Sequence, residues 1–86
     1  MLNQKPISLT LYSTSHCHLC EQAESMLSDI SAGNAIFWSH VEISEDSMLL
    51  QRYELKIPVI KRVDSELEIT WPFTAQDIQI LVMDNC

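Results

Sequence analysis

Residues 7 to 12 alternate in polarity, with Ile7, Leu9 and Leu11 apolar and Ser8, Thr10 and Tyr12 between them. A period of two puts one face of a strand against a core, so this stretch predicts a first strand. The period then lengthens: Leu19, Ala23, Met26, Leu27 and Ile30 fall on one face of a 3.6-residue repeat, which predicts a helix from about Leu19 to Ser31. Ala32-Gly33-Asn34 ends it, with Gly33 standing where a left-handed C-terminal residue is wanted. Residues 36 to 43 predict a second strand, with Phe37, Val41 and Ile43 on one side and Trp38, His40 and Glu42 on the other. Strand, three-turn helix and strand together predict a right-handed parallel crossover.

Ser44-Glu45-Asp46-Ser47 offers an N-cap and an acidic first turn for a second helix through about Tyr53, with Leu49, Leu50 and Tyr53 facing inward. Lys56-Ile57-Pro58-Val59-Ile60 predicts a third strand whose proline, near its start, cannot donate a ladder bond. Val63-Asp64-Ser65 supplies a turn, and Leu67 and Ile69 alternate with Glu66, Glu68 and Thr70 in a fourth strand antiparallel to the third. Thr74 to Asp77 is a capping-box start, with aspartate for the usual glutamate, of a last helix that faces inward through Ile78, Leu81 and Val82. The order βαβαββα makes an α/β fold, a four-stranded mixed sheet flanked by helices, as one domain over residues 1–86.

Composition narrows the function. The formal charge of −7 opposes binding to nucleic acid, and no Lys/Arg cluster with interleaved aromatics offsets it. Met1 to Pro6 is polar and lacks the apolar core of a signal peptide, so a cytoplasmic protein without a membrane span is expected, and a monomer. Gly33 is the only glycine, which excludes a Gly-rich phosphate loop or dinucleotide fingerprint.

The candidate chemistry lies between the first strand and the first helix, in Ser13-Thr14-Ser15-His16-Cys17-His18-Leu19-Cys20. A bridge between Cys17 and Cys20 would span one helical turn and staple nothing distant, which favours chemistry over architecture. The free amides and positive dipole of a helix start favour a thiolate, while Glu21 and Glu24 in the first turns oppose it. A pair of ordinary buried thiols is the plain alternative. His16 and His18 flank Cys17 as candidate thiol-tuning groups, effective when protonated; His18 is the better placed, against the alternative of a solvated histidine. His40 reads simply as a strand residue. Two cysteines three apart with adjacent histidines cannot all point at one tetrahedral centre without strain, so no metal site is assigned. Cys86, the last residue, reads as a frayed thiol.

This arrangement resembles the thioredoxin fold and, more closely, the glutaredoxins. It is most similar to small bacterial glutaredoxin-like proteins, through Cys17-His18-Leu19-Cys20-Glu21-Gln22-Ala23-Glu24, Tyr53 ahead of Ile57-Pro58-Val59, and Trp71-Pro72-Phe73. The resemblance implies that Cys17 is the attacking thiol and Cys20 the resolving one. It also implies a cis bond between Ile57 and Pro58, with Lys56, Ile57 and Pro58 beside the substrate chain. Arg52, Lys56, Lys61 and Arg62 would give that cleft a positive rim, or else lie in solvent. The expected activity is thiol-disulfide exchange with a protein or small-molecule disulfide, electrons coming from a reductase or protein donor. The alternative is a redox-inert or metal-binding thioredoxin-fold module that holds an extended segment beside Pro58. No bound cofactor is expected, and glutathione is a poor match. His16 stands where glutaredoxins carry a basic residue, Lys56-Ile57-Pro58 replaces Thr-Val-Pro, and Trp71-Pro72-Phe73-Thr74 replaces the Gly-Gly turn that lets the tripeptide approach.

Overall fold

A computed structural model describes residues 6–15, 17–32 and 35–83. The elements are β1 (Ile7–Ser13), α1 (His18–Ser31), β2 (Ile36–Glu42), a 3-10 turn (Ile43–Glu45), α2 (Ser47–Tyr53), β3 (Val59–Arg62), β4 (Glu68–Thr70) and α3 (Ala75–Met83). They form one sheet in the order β2-β1-β3-β4. β1 runs parallel to β2 and antiparallel to β3, and β3 is antiparallel to β4. Because β3 enters opposite the exit of β1, with Val59 across from Tyr12, Pro58 and the Cys17 loop come to the same end of the sheet. The turn between β3 and β4 lies at the other end.

Two apolar clusters cover the two sheet faces. Leu9, Leu11, Ile36 and Ile60 pack with Ala23 and Leu27 of α1 and with Phe73, Ile78, Leu81 and Val82 at α3. On the opposite face Ile43, Tyr53 and Val59 are buried, with Tyr12, Leu49 and Ile57 packed around them. The helix starts are held by the side chains their sequences supply. Asp46 Oδ1 accepts the amides of Met48 and Leu49 at 2.9 and 3.2 Å, so the N-cap of α2 lies one residue before Ser47. The Thr74 amide donates to Asp77 Oδ2 at 2.8 Å and the Asp77 amide to Thr74 Oγ1 at 3.2 Å, a capping box in which aspartate replaces glutamate. α1 ends at Ala32, whose N–H donates to the Asp29 carbonyl; Gly33 lies outside the described residues.

The second strand keeps the alternation expected of it, with Trp38, His40 and Glu42 on one face and Phe37 and Val41 on the other. Parallel pairing sets Trp38 beside Leu9 and His40 beside Leu11, so Ile36 and Trp38 join the α1 side and Phe37 is 61% exposed on the other. That other face is covered by α2, which has only 7 residues and packs at the Tyr12 end. Ile43 is buried there as expected, but in the 3-10 turn rather than in the strand. Leu50 is 37% exposed, because the inward stripe of so short a helix is Leu49 and Tyr53, four residues apart. Leu19 is 40% exposed in the first turn of α1.

Pro58 and the Trp71–Pro72 segment are joined. The Ile57–Pro58 and Trp71–Pro72 bonds are both cis, and the Trp71 amide donates to the Pro58 carbonyl at 3.1 Å. Trp71 meets Phe73 edge to face at 5.0 Å, so this segment seats α3 on the sheet.

Arg62 is buried at 4% exposure, against the positive rim expected of it. Its Nε and Nη2 donate to the two Asp64 carboxylate oxygens at 2.9 and 2.8 Å, and its Nη1 to the Leu81 carbonyl at 3.0 Å. Lys61 pairs with Glu66 at 3.4 Å, also at the end of the sheet away from Pro58. Arg62→Met keeps the aliphatic stem but strands the Leu81 carbonyl, and is expected to lower the free energy of unfolding by about 1.5 to 3 kcal/mol in urea titrations. The Arg62 guanidinium holds the Asp64 carboxyl below the usual carboxylate range. A depressed folded-state pKa contributes stability above the unfolded value, about 3.9, and that contribution is lost as pH falls through the folded one. The acid limb of a stability-against-pH curve should therefore be shallower in Arg62→Met than in the parent.

Candidate active site

Cys17 and Cys20 form a disulfide across the start of α1, with their Cα atoms 5.2 Å apart, inside the range a bridge requires. Cys17 is itself the N-cap residue. Its backbone is extended (φ −109°, ψ 107°), its Sγ accepts the amide of Cys20 at 3.1 Å, and its carbonyl accepts the amide of Glu21 at 3.2 Å. A sulfur thus takes the place that serine or aspartate oxygen usually holds, on one of the amides that have no intrahelical partner. Cys20, one turn on, is 2% exposed and belongs to the buried face of the helix, whereas Cys17 is half-buried. One sulfur can be reached from solvent and the other is shielded.

Beside the pair lies a cavity of about 260 Å³ whose lining includes Cys17 and Cys20. Ser13, Thr14 and Ser15 line it from the end of β1, Glu21 and Glu24 from α1, and His40 and Glu42 from β2. The register explains the last two. His40 stands across from Leu11 and Glu42 across from Ser13, so both share the sheet face that α1 covers. The two parallel strands end together at this edge, the place where open α/β sheets gather polar groups. Sequence reasoning left His40 as a strand residue and gave Glu42 no role; only the pairing of β1 with β2 brings them to the cysteines.

Glu42 is a fixed negative charge. The Thr14 hydroxyl is the largest influence and Ser44 the next; together with Ser15 they hold its carboxyl down to about 2. The Ser44 hydroxyl donates at 2.8 Å and the Ser44 amide at 3.2 Å to Oε2, while Ser15 Oγ donates to Oε1 at 3.4 Å. It is therefore ionised throughout the physiological range.

The flanking histidines fare differently. His18 projects into solvent with its side chain 94% exposed, its Nδ1 4.0 Å from Glu21 Oε1, and it does not line the cavity. His16 lies outside the described residues, as does Cys86. Pro58 is fully buried and Lys56 is exposed. The amides of Lys56 and Ile57 both donate to the Tyr53 carbonyl, at 2.8 and 3.1 Å, which fixes the approach to Pro58 from the end of α2. Tyr53 is held in turn. It stacks on Tyr12 at 4.6 Å, its hydroxyl donates to Glu68 Oε1 at 2.9 Å, and Arg52 lies 5.5 Å from its ring centre. Burial, then the Glu68 carboxylate, push the Tyr53 phenol up to about 12. Among the described residues no group of three His, Cys, Asp or Glu is placed to hold a metal ion, and no helix is long and apolar enough to cross a membrane.

Residues 8–82 match the family described as Glutaredoxin-like domain (DUF836). The chain belongs to this glutaredoxin-like family. A crystal structure of protein XcR50 from X. campestris is 35% identical, superposes with a TM-score of 0.76, and is matched over 91% of this chain and 99% of that one. The solution structure of Ne2328 from Nitrosomonas europaea is 24% identical with a TM-score of 0.80, over 93% and 96% of the two chains. A structure described as a malarial protein shares the fold at 12% identity and a TM-score of 0.69, over 92% and 96%. No curated protein matches the chain. The glutaredoxin-like chain thus has the thioredoxin-like fold expected of it, a mixed four-stranded sheet flanked by helices, with a Cys-Xaa-Xaa-Cys pair at the start of α1.

The asymmetry of the pair predicts unequal reactivity. In the reduced protein, iodoacetamide should label Cys17 at least about tenfold faster than Cys20, since the first is accessible and bonded to a helix amide and the second is enclosed. Peptide mapping of a time course reads the two rates, and equal rates would remove the distinction between attacking and resolving thiols.

Proposed function

We propose that this glutaredoxin-like protein is a thiol-disulfide oxidoreductase, and the observation that carries the reading is the half-buried Cys17 sulfur capping α1 with the shielded Cys20 one turn behind it. In the reduced protein the Cys17 thiolate attacks one sulfur of a substrate disulfide. The substrate's S–S bond breaks, a Cys17–substrate disulfide forms, and the departing sulfur takes a proton. Cys20 then gives up its proton and attacks Cys17, which releases the second substrate thiol and leaves the Cys17–Cys20 disulfide. Two electrons and two protons pass to the substrate. The amide of Cys20 and the helix dipole stabilise the Cys17 sulfur while it is anionic, both as nucleophile and as leaving group.

Substrate lies along Lys56, Ile57 and Pro58, at the end of the sheet that also presents Cys17. Glutathione is a weak partner, because Trp71, Pro72 and Phe73 fill the place where close backbone approach would be needed, with Phe73 buried in the core. Reduction then comes from a dithiol reductase or a protein donor, in the cytoplasm. His18 tunes the potential only through its charge at a distance, since its ring faces solvent.

Two substitutions test the sequence of steps. Cys20→Ser should accumulate mixed disulfides with substrate that survive non-reducing electrophoresis, and Cys17→Ser should form none. The oxidised protein should be reduced by a small dithiol at concentrations where glutathione acts inefficiently. Saturable micromolar binding of glutathione with fast turnover of a glutathionylated peptide would overturn the assignment of electron source. Failure of Cys20→Ser to trap any disulfide would overturn the activity itself.

A further inference from the structure

The segment that leads into Pro58 has no helix or strand of its own, since Glu54, Leu55 and Lys56 form a turn between α2 and β3. Its shape is taken from its two ends. At the start, the Tyr53 carbonyl accepts the amides of both Lys56 and Ile57, at 2.8 and 3.1 Å, and at the far end the Pro58 carbonyl accepts the Trp71 amide at 3.1 Å. Two amides on one carbonyl use both of its lone pairs, so the segment is placed only as well as Tyr53 is. α2 alone does not supply that placement, because its 7 residues are fewer than a helix needs to stand by itself in water. The side chain of Tyr53 does. Its ring is 2% exposed and stacks on Tyr12 of β1 at 4.6 Å, and its hydroxyl donates to Glu68 Oε1 of β4 at 2.9 Å. Burial and then the Glu68 carboxylate push that phenol up to about 12, so the donor stays protonated wherever the thiols react. Glu68 and Trp71 are three residues apart. One holds the start of the segment through a side chain and the other holds its end through the main chain, so β4 and the residue after it bracket residues 53–58. Packing alone does not call for the hydroxyl: a phenylalanine ring fills the same space against Tyr12 with no polar group to satisfy. What the hydroxyl adds is a fixed distance between α2 and β4.

We propose that Tyr53, held by Glu68, is a positioning residue for thiol-disulfide exchange: it keeps the segment ahead of Pro58 in the shape that a substrate chain binds, and so sets the affinity for peptide disulfides. The inference rests on the thiol-disulfide reading above and adds which residues fix substrate affinity. Tyr53 and Glu68 do not line the cavity beside Cys17 and Cys20, so they act on the bound chain and not on the sulfurs. Breaking their bond loosens the segment before substrate arrives. A chain that lies along residues 56–58 then has to order that segment as it binds, which weakens binding and leaves the exchange step alone. A small disulfide needs only to reach Cys17 and is indifferent to the change.

The test follows single turnovers of the reduced full-length chain, read as formation of the Cys17–Cys20 disulfide, with two substrates. One is a peptide carrying one cysteine in a mixed disulfide with mercaptoethanol, and the other is hydroxyethyl disulfide. For the peptide, the concentration dependence separates a half-saturating concentration from a limiting rate. Tyr53→Phe and Glu68→Ala should each raise the half-saturating concentration about fivefold and leave the limiting rate within about twofold of the parent's. The two together should raise it no further than either alone, since both remove the same bond. Glu68→Gln still offers an oxygen to the hydroxyl and should restore most of the affinity. With hydroxyethyl disulfide these variants should react at the parent's rate. Arg62→Met, which lowers stability at the other end of the sheet, should leave the half-saturating concentration in place. A half-saturating concentration that neither Tyr53→Phe nor Glu68→Ala moves would overturn the positioning role while the exchange activity stood. Equal losses with the peptide and the small disulfide would also overturn it, since the sulfurs themselves would then be affected. So would an equal rise in Arg62→Met, since loss of stability would then be the cause. If the parent chain exchanges with neither substrate, the underlying reading fails and this inference with it.

Discussion

The bond from the Cys20 amide to the Cys17 sulfur, at 3.1 Å, is where fold and chemistry coincide. A helix must begin with amides that have no partner in their own helix, and here a cysteine rather than an oxygen side chain meets one of them. The same choice fixes which sulfur is accessible. The N-cap residue lies outside the helix proper, while the residue three further on has already turned toward the core, where Cys20 joins Ala23 and Leu27.

That start is held in place from three directions. β1 delivers the loop from an interior strand, paired on both sides, so its end cannot shift without breaking two ladders. α1 is clamped through Ala23 and Leu27 against the core that α3 completes. Pro58 is pinned from the other face, where the Tyr53 carbonyl accepts two amides of the preceding loop and the Tyr53 ring stacks on Tyr12 of the interior strand. Tyr53 therefore links α2 to the loop that leads into Pro58. Raising its phenol to about 12 means the folded state keeps that proton when the unfolded chain would lose it, so this contribution is full below pH 10 and declines as pH rises toward 12.

Most of this architecture was legible in the residues because local and global signals agree: alternation in β1, 3.6-residue spacing in α1, and caps at Asp46 and Thr74. What the residues left open depended on a partner. β2 alternates so evenly that either face could have been the buried one, and only its pairing with β1 shows that Trp38, not Phe37, faces the core. The same pairing decides the site. His40 and Glu42 carry no motif, and their approach to Cys17 and Cys20 follows from two strands ending at the same edge. Arg62 looked like a surface charge because Asp64 and the carbonyl of Leu81, which take its donors, come from a turn and from a helix 19 residues away. The cysteine pair itself was legible for the opposite reason: its chemistry depends on positions 17 and 20 and on the helix that follows, all within one stretch of sequence.

The charges around Cys17 oppose one another on a similar scale. A helix start favours an anion by about 0.3 to 1 kcal/mol, and two unit charges about 4 Å apart in water interact by about 1 kcal/mol. The helix amides pull the Cys17 thiol toward ionisation, and the carboxylates of Glu21 and Glu24, with Glu42 across the cavity, push against it. The two effects are of the same order, so neither the helix start nor any one carboxylate decides the ionisation of Cys17 by itself. The ionisation of Cys17 is therefore set by the local charges on both sides of it rather than by the helix start alone.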